Sequence, residues 1–183
     1  MEQKTFIIAE GGKNFINKKS GLSIADCLEN AKNLALAAKN CNADCIKYQT
    51  HVWADESNLR AESRKDWTQR NERLTPFNKF WKPLKEYCDE IGIEFLSTGM
   101  SLLAVQKINP LIKRYKIGSG NIQDLEAIGW MSKKGKPIIL SSGMSTVQEL
   151  DQAVNLIRKH TMDLTILHCV SEYPCPEDKV NLN

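Results

Sequence analysis

Six short apolar runs separated by amphipathic stretches recur along the 183 residues, and this alternation constrains the fold more than any other feature. The runs are KTFIIAE, with a strand expected over residues 5–10, then DCIKYQ, EFLST, YKIG, PIILSS and LTILHC. In the stretch SIADCLENAKNLALAAKN, Ile24, Leu28, Ala31, Ala35 and Ala38 share one helical face and Ser23 is placed to cap it. Further helices are expected over 76–90, 101–109, 122–133 and 146–160. In the last, Val147, Leu150, Val154 and Ile157 make the buried stripe, and STVQ at 145–148 reads as a capping box. Six strands alternating with five helices predict parallel strands joined by crossovers, the α/β class.

A (β/α)8 barrel and an open doubly wound sheet both satisfy that alternation. The polar residues favour the barrel. Glu10, Lys47, Gln49, Ser97, Thr98, Lys116, Ser119, Ser141, Ser142 and His168 fall at the C-terminal ends of successive strands. A barrel gathers every strand end around one mouth, whereas an open sheet needs such ends only at its switch point. The expectation is therefore an incomplete TIM-type barrel with about six βα units. A whole barrel takes about 250 residues, so residues 1–183 are expected to be the N-terminal part of a longer protein, or to be completed by another chain. Residues 51–75, charged and carrying Trp53 and Trp67, form one long insertion at the expected mouth. It reads either as a substrate-facing lid or as a solvated helical hairpin.

With 42% hydrophobic and 26% charged residues, the chain has the composition of one soluble globular domain. The net charge of +3 is spread without a Lys/Arg block, which speaks against nucleic acid as a partner. No apolar run reaches membrane-spanning length, and MEQKTFIIAEGG lacks the regions of a signal peptide, so a cytoplasmic protein without membrane contact is expected. The six cysteines show no CxxC pair and are expected to be reduced structural thiols.

Lys47 and Lys116 carry the strongest chemical signal, because each interrupts a strand that is otherwise apolar. A buried ammonium is costly unless an anion or a carboxylate neutralises it, and Glu10 is the internal candidate. Ser119, Ser141 and Ser142 place hydroxyls beside glycines, a combination that cradles phosphate but also serves plain turns. A strand ending in Gly118-Ser119-Gly120 before a helix suits an anion. Asn121 is placed to cap that helix. His51 and His160 read as loop and helix-end residues, and no HxH or HExxH spacing marks a metal site.

Taken in order, FIIAEGGKN, ADCIKYQTH, FLSTGM, YKIGSGN, GKPIILSSGMST and LHCVSEYPCPEDKVNL resemble the N-acetylneuraminate (sialic acid) synthase family. The resemblance implies a transferase of carbohydrate biosynthesis that condenses phosphoenolpyruvate with an N-acetylated hexosamine, N-acetylmannosamine or a bacterial analogue. The product would be a nine-carbon 2-keto sugar acid of the sialic, legionaminic or pseudaminic type, with release of phosphate. It implies that Lys47, Thr98, Lys116, Ser119 and Ser141 hold phosphoenolpyruvate, with Gln49 also on the substrate. Ser171 and Tyr173 would reach phosphate or sugar, and Glu10 and Asn121 would stand at the reacting groups. It further implies a divalent metal, Mn2+ or Mg2+, with ligands on strands seven and eight beyond residue 183. A C-terminal antifreeze-like domain and a homodimer are implied as well.

The sequence departs from the family pattern at three places. Asn121 stands where the family usually has an acid, Asn14-Phe15 where it has Asn-His, and Gly99 where it has proline after Ser-Thr. An amide cannot exchange protons as a carboxyl does. A truncated, non-catalytic relative that binds a phosphorylated ligand or serves as an assembly piece is the alternative. Another aldolase-type barrel using phosphoenolpyruvate is a third reading.

Overall fold

The computed structural model describes residues 5–16, 21–56 and 62–182, with backbone alone for 62–65. Residues 57–61 of the insertion lie outside the described residues. The chain divides into two compact units, Met1–Ile112 and Lys113–Asn183.

The first unit holds a parallel sheet of β1 (Ile8–Gly12), β2 (Cys45–Thr50) and β3 (Glu94–Gly99) in that order. Helices α1 (Ile24–Asn40), α2 (Glu62–Leu74), α3 (Lys82–Glu90) and α4 (Leu102–Ile108) accompany it. Ser23 caps α1 in a reciprocal box with Asp26, and Cys27, Ala31, Ala35 and Ala38 are its buried stripe. Small residues there let α1 approach β2, and the Tyr48 hydroxyl donates to the carbonyl of Ala31 at 2.8 Å. Tyr48 lies in a fully buried aromatic cluster with Phe15, Phe80, Trp81 and Phe95, ring centroids 4.8 to 6.5 Å apart. Each such ring contributes roughly 1.5–3 kcal/mol by burial, which makes this cluster the anchor of the unit.

The second unit holds a parallel sheet of β4 (Tyr115–Ile117), β5 (Ile138–Ser141) and β6 (Leu164–Leu167), with α5 (Leu125–Ser132) and α6 (Val147–Arg158). Tyr115 meets Trp130 of α5 at 6.5 Å, so the Tyr115 face of β4 is the one that packs on helix.

Among the described residues the six strands form two three-stranded parallel sheets and no closed barrel is found, so the α/β class with parallel strands stands. Four expectations are corrected. Among the described residues there are six α-helices, because the charged stretch within 51–75 folds in part as α2. The first strand runs over Ile8–Gly12 rather than 5–10, since Ile8 is the residue opposite Cys45. The capping box of α6 is Thr146 with Glu149, one residue later than STVQ, which leaves Val147 exposed and Ala153 and Ile157 buried. Asn121 closes a 3-10 turn, Ser119–Asn121, and Asp124 caps α5 instead by accepting from the Ala127 N–H at 3.0 Å.

Candidate functional site

Strand alternation sorts the side chains of the first sheet. Tyr48, Thr50, Phe95 and Ser97 share the helix-covered face, where the hydroxyls of Thr50 and Ser97 satisfy each other at 2.7 Å. The register sets Glu10 opposite Lys47 and Gln49 opposite Thr98, so these four share the other face. Lys47 is buried and pairs with the Glu10 carboxylate, which is half exposed. Thr98 is buried and Gln49 partly so. The alternation reading of these residues thus coincides with their grouping on one sheet face near its C-terminal edge.

Two of the three departures from the family pattern have packing reasons. Phe15 is fully buried against Tyr48, Phe80 and Trp81, a site for an apolar ring rather than an imidazole. A Cβ on Gly99 would lie 2.5 Å from the backbone nitrogen of Val105 and 2.7 Å from its Cα. The start of α4 therefore closes on a strand end that tolerates no side chain.

In the second sheet, Lys116 lies opposite Ile139, and Ser141 follows on the same face. The Lys116 ammonium donates to Ser141 Oγ at 2.5 Å and to the carbonyl of Ile117 at 3.0 Å. Beyond β5, a Cβ on Gly143 would stand 2.5 Å from Ser171 Oγ, 2.8 Å from Ser119 Oγ and 3.2 Å from the Cys169 Cβ. Hydroxyls from the segments after β4 and β6 thus close on a glycine after β5. Ser142 is committed elsewhere, donating to the carbonyl of Leu167 at 2.9 Å. Tyr173 is 95% exposed, and His168 Nε2 donates to the carbonyl of Val180 at 2.7 Å, pinning the segment after β6.

The insertion is tied to the first unit. Asp55 accepts from the Leu103 N–H at the start of α4, and Glu72 of α2 accepts from the Trp53 N–H at 2.9 Å. Lys13 stands over the Trp67 ring, 3.8 Å from its centroid. His51, read from the sequence as a loop residue, is buried, with Nδ1 2.7 Å from a Glu56 carboxylate oxygen and its ring edge-on to Trp67. The signal available in the sequence was its position: Lys47, Gln49 and His51 are alternate residues.

Among the described residues, no three His, Cys, Asp or Glu side chains come together as a metal site. All six cysteines are free, and Cys27, Cys45 and Cys88 are buried. Burial pushes the Cys88 thiol up to about 12 and raises that of Cys27, as inert core thiols require. No described helix is long and apolar enough to cross a membrane.

The sequence profile of the NeuB family matches residues 34–183. An uncharacterized protein of Methanocaldococcus jannaschii is 36% identical over 99% of the chain and 50% of its own length. The N,N'-diacetyllegionaminic acid synthase of Campylobacter jejuni is 34% identical over 98% of the chain and 55% of its own length. Among solved structures, N-acetylneuraminic acid synthetase from Leptospira borgpetersenii in complex with citrate superposes with a TM-score of 0.81 at 25% identity, covering 98% of this chain and 59% of that one. The chain thus spans about half the length of the curated relatives it matches.

Proposed function

Because the chain belongs to the NeuB family, we propose that it contributes to the condensation of phosphoenolpyruvate with an N-acetylated hexosamine, giving a nine-carbon 2-keto sugar acid and phosphate. The observations that carry this reading are two in the second unit, the Lys116 ammonium donating to the Ser141 hydroxyl and the Ser119 and Ser171 hydroxyls closing on Gly143, donors of the kind a phosphate cradle uses. A citrate complex in the Leptospira relative shows that a homologue takes a polyanionic carboxylate. The incomplete TIM-type barrel and the homodimer belong to the same proposal, as does a cytoplasmic setting.

The chemistry requires such donors. Carbon 3 of phosphoenolpyruvate forms a bond to the aldehyde carbon of the open-chain sugar, whose oxygen takes a proton. Positive charge grows at carbon 2, water adds there and loses a proton, and the C–O bond to phosphate breaks with its electron pair leaving on phosphate. Lys116 with Ser119, Ser141 and Ser171 would hold the phosphate as it gathers charge. Lys47, Thr98 and Gln49 would bind substrate, and so would Tyr173. Glu10, paired with Lys47 yet open to solvent, would exchange a proton at the reacting groups. The divalent metal of the proposal finds no ligand set in the described residues, so no step is assigned to it.

Asn121 favours a second reading, ligand binding without turnover, since its amide replaces a proton-exchanging acid. One assay separates them: phosphate release from phosphoenolpyruvate with Mn2+ and a panel of acetamido sugars. Release with one sugar supports the synthase; phosphoenolpyruvate binding by calorimetry with no release for any sugar supports the second reading, and neither rejects both.

A further inference from the structure

The core beside the insertion holds polar atoms that the folded chain leaves without partners. His51 is 3% exposed, and its Nε2 has no hydrogen-bond partner among the described residues. Asn71 is 1% exposed, and neither its Oδ1 nor its Nδ2 has one. Buried polar groups are nearly always paired, so such a concentration marks a place made to receive something.

His51 meets Trp67 edge-on with centroids 4.8 Å apart, and Asn71 follows Trp67 by four residues on α2, one turn along the same face. His51 directly follows β2, the strand of Lys47 and Gln49. Glu56 fixes the chemistry of the imidazole. Its carboxylate sits 2.7 Å from Nδ1, so Nδ1 donates to it, and in the neutral tautomer Nε2 is left to accept. The Asn71 carboxamide adds one acceptor and two donors, and this holds whichever way the amide is turned, because both its ends lack partners.

We infer that His51 Nε2 and the Asn71 carboxamide form a buried polar subsite for the sugar, taking an uncharged group that both donates and accepts, a hydroxyl or the acetamido N–H and C=O. The inference rests on the synthase reading, in which an acetamido sugar is the second substrate.

The test uses the 183-residue chain, N-acetylmannosamine and phosphoenolpyruvate as separate calorimetric probes, and the variants Asn71→Leu and His51→Gln. Asn71→Leu replaces an unsatisfied amide by an apolar side chain of similar size, so it is expected to keep or raise Tm while weakening sugar binding at least tenfold. Phosphoenolpyruvate affinity is expected to stay within twofold of wild type in both variants. In wild type, the His51 Nε2 resonance is expected to shift on adding the sugar and not on adding phosphoenolpyruvate. Unchanged sugar affinity in both variants, or no sugar binding by wild type, overturns the subsite; if phosphoenolpyruvate still binds, the anion reading survives that failure. Sugar binding that the variants abolish, with no phosphoenolpyruvate binding at all, supports the subsite and overturns the phosphoenolpyruvate reading.

Discussion

Glu10 and Lys47 face each other across the β1–β2 ladder and form an ion pair in which the lysine side chain is 10% exposed and the carboxylate side chain 52%. The asymmetry decides what the pair can do. The half-exposed acid can turn to water, whereas the ammonium it leaves is buried and needs another negative charge in its place. The ammonium, held in the sheet, cannot follow it. Glu10 is thus an exchangeable counter-ion, and an anionic ligand could take its place on Lys47.

That asymmetry gives opposite expectations for the two partners. Lys47→Met retains the buried stem and removes the charge, so Tm should stay within a few degrees while phosphoenolpyruvate binding weakens tenfold or more. Glu10→Gln should leave binding equal or tighter, since it removes the competing carboxylate, and should lower turnover if Glu10 exchanges a proton. Calorimetry on both variants checks this; equal binding loss in the two would mean that the pair acts only as scaffold.

Gly143 lies where the hydroxyls of Ser119 and Ser171 close in, the place proposed to hold phosphate. Gly143→Ala would place a methyl group 2.5 Å from Ser171 Oγ and 2.8 Å from Ser119 Oγ. Ser171 lies on an exposed segment and can yield, so the fold should survive. The hydroxyls would then be spread apart, and phosphoenolpyruvate affinity should fall about as far as in Lys116→Ala, by a few kcal/mol, roughly the scale for one charge-assisted contact in a desolvated site. Titration with phosphoenolpyruvate reads both variants; an unaffected Gly143→Ala would remove the cradle from the site.

What was legible in the sequence follows from which forces act locally. The α1 stripe and its Ser23 cap were readable because cap and stripe lie within one helix. The positions of Lys47, Gln49, Lys116 and Ser141 on strands were readable once the strands were recognised, whereas the meeting of Lys116 with Ser141 depends on the β4–β5 register, which lies between distant parts of the chain. Asn121 was misread as a cap because a 3-10 turn intervenes before α5, and hydrogen-bonding propensity alone does not reveal where a turn ends. Helix α2 was read only as one of two alternatives, a solvated helical hairpin, because its buried positions include Thr68 and Asn71, polar residues that make no apolar stripe. His51 was hidden for the same reason, since its burial comes from Trp67 on that helix.

Gly99 should be intolerant of any side chain. Its added Cβ would meet the Val105 backbone at 2.5 Å, and a backbone cannot swing aside as a serine can. Gly99→Ala is expected to destabilise the first unit by about 1–3 kcal/mol, the usual range for overpacking. Urea unfolding followed by tryptophan fluorescence measures it, since Trp81 is fully buried in that unit. An unchanged midpoint would show that α4 can shift away from the strand end.

The capping box of α6 predicts an acid-side response. The Thr146 backbone N–H, then its hydroxyl, then Gln123 hold the Glu149 carboxyl below its ordinary value of 4.5. A carboxyl depressed in the folded state adds stability that is present above 4.5 and is lost as pH falls through the folded value. Glu149→Gln should therefore flatten the decline of the urea midpoint below pH 4.5 and leave its slope near neutrality unchanged. A wild-type slope retained in the variant would place the acid response elsewhere.

Cys88 predicts the alkaline side. Burial, and after it the charge of Asp89, pushes the thiol from its ordinary 9.0 up to about 12, with Lys85 opposing. Between those values the unfolded chain gives up a proton that the folded chain keeps, so stability is fully present below pH 9 and falls as pH rises toward 12. Cys88→Ala creates a small cavity and lowers stability at every pH, yet it should reduce the slope of that decline. The same burial makes Cys88 inert to iodoacetamide at pH 8 in the native state, while exposed Cys41 is alkylated. Mass spectrometry of the alkylated peptides distinguishes the two thiols. Alkylation of Cys88 at the rate of Cys41 would mean that the helix α3 face opens far more often than its packing allows.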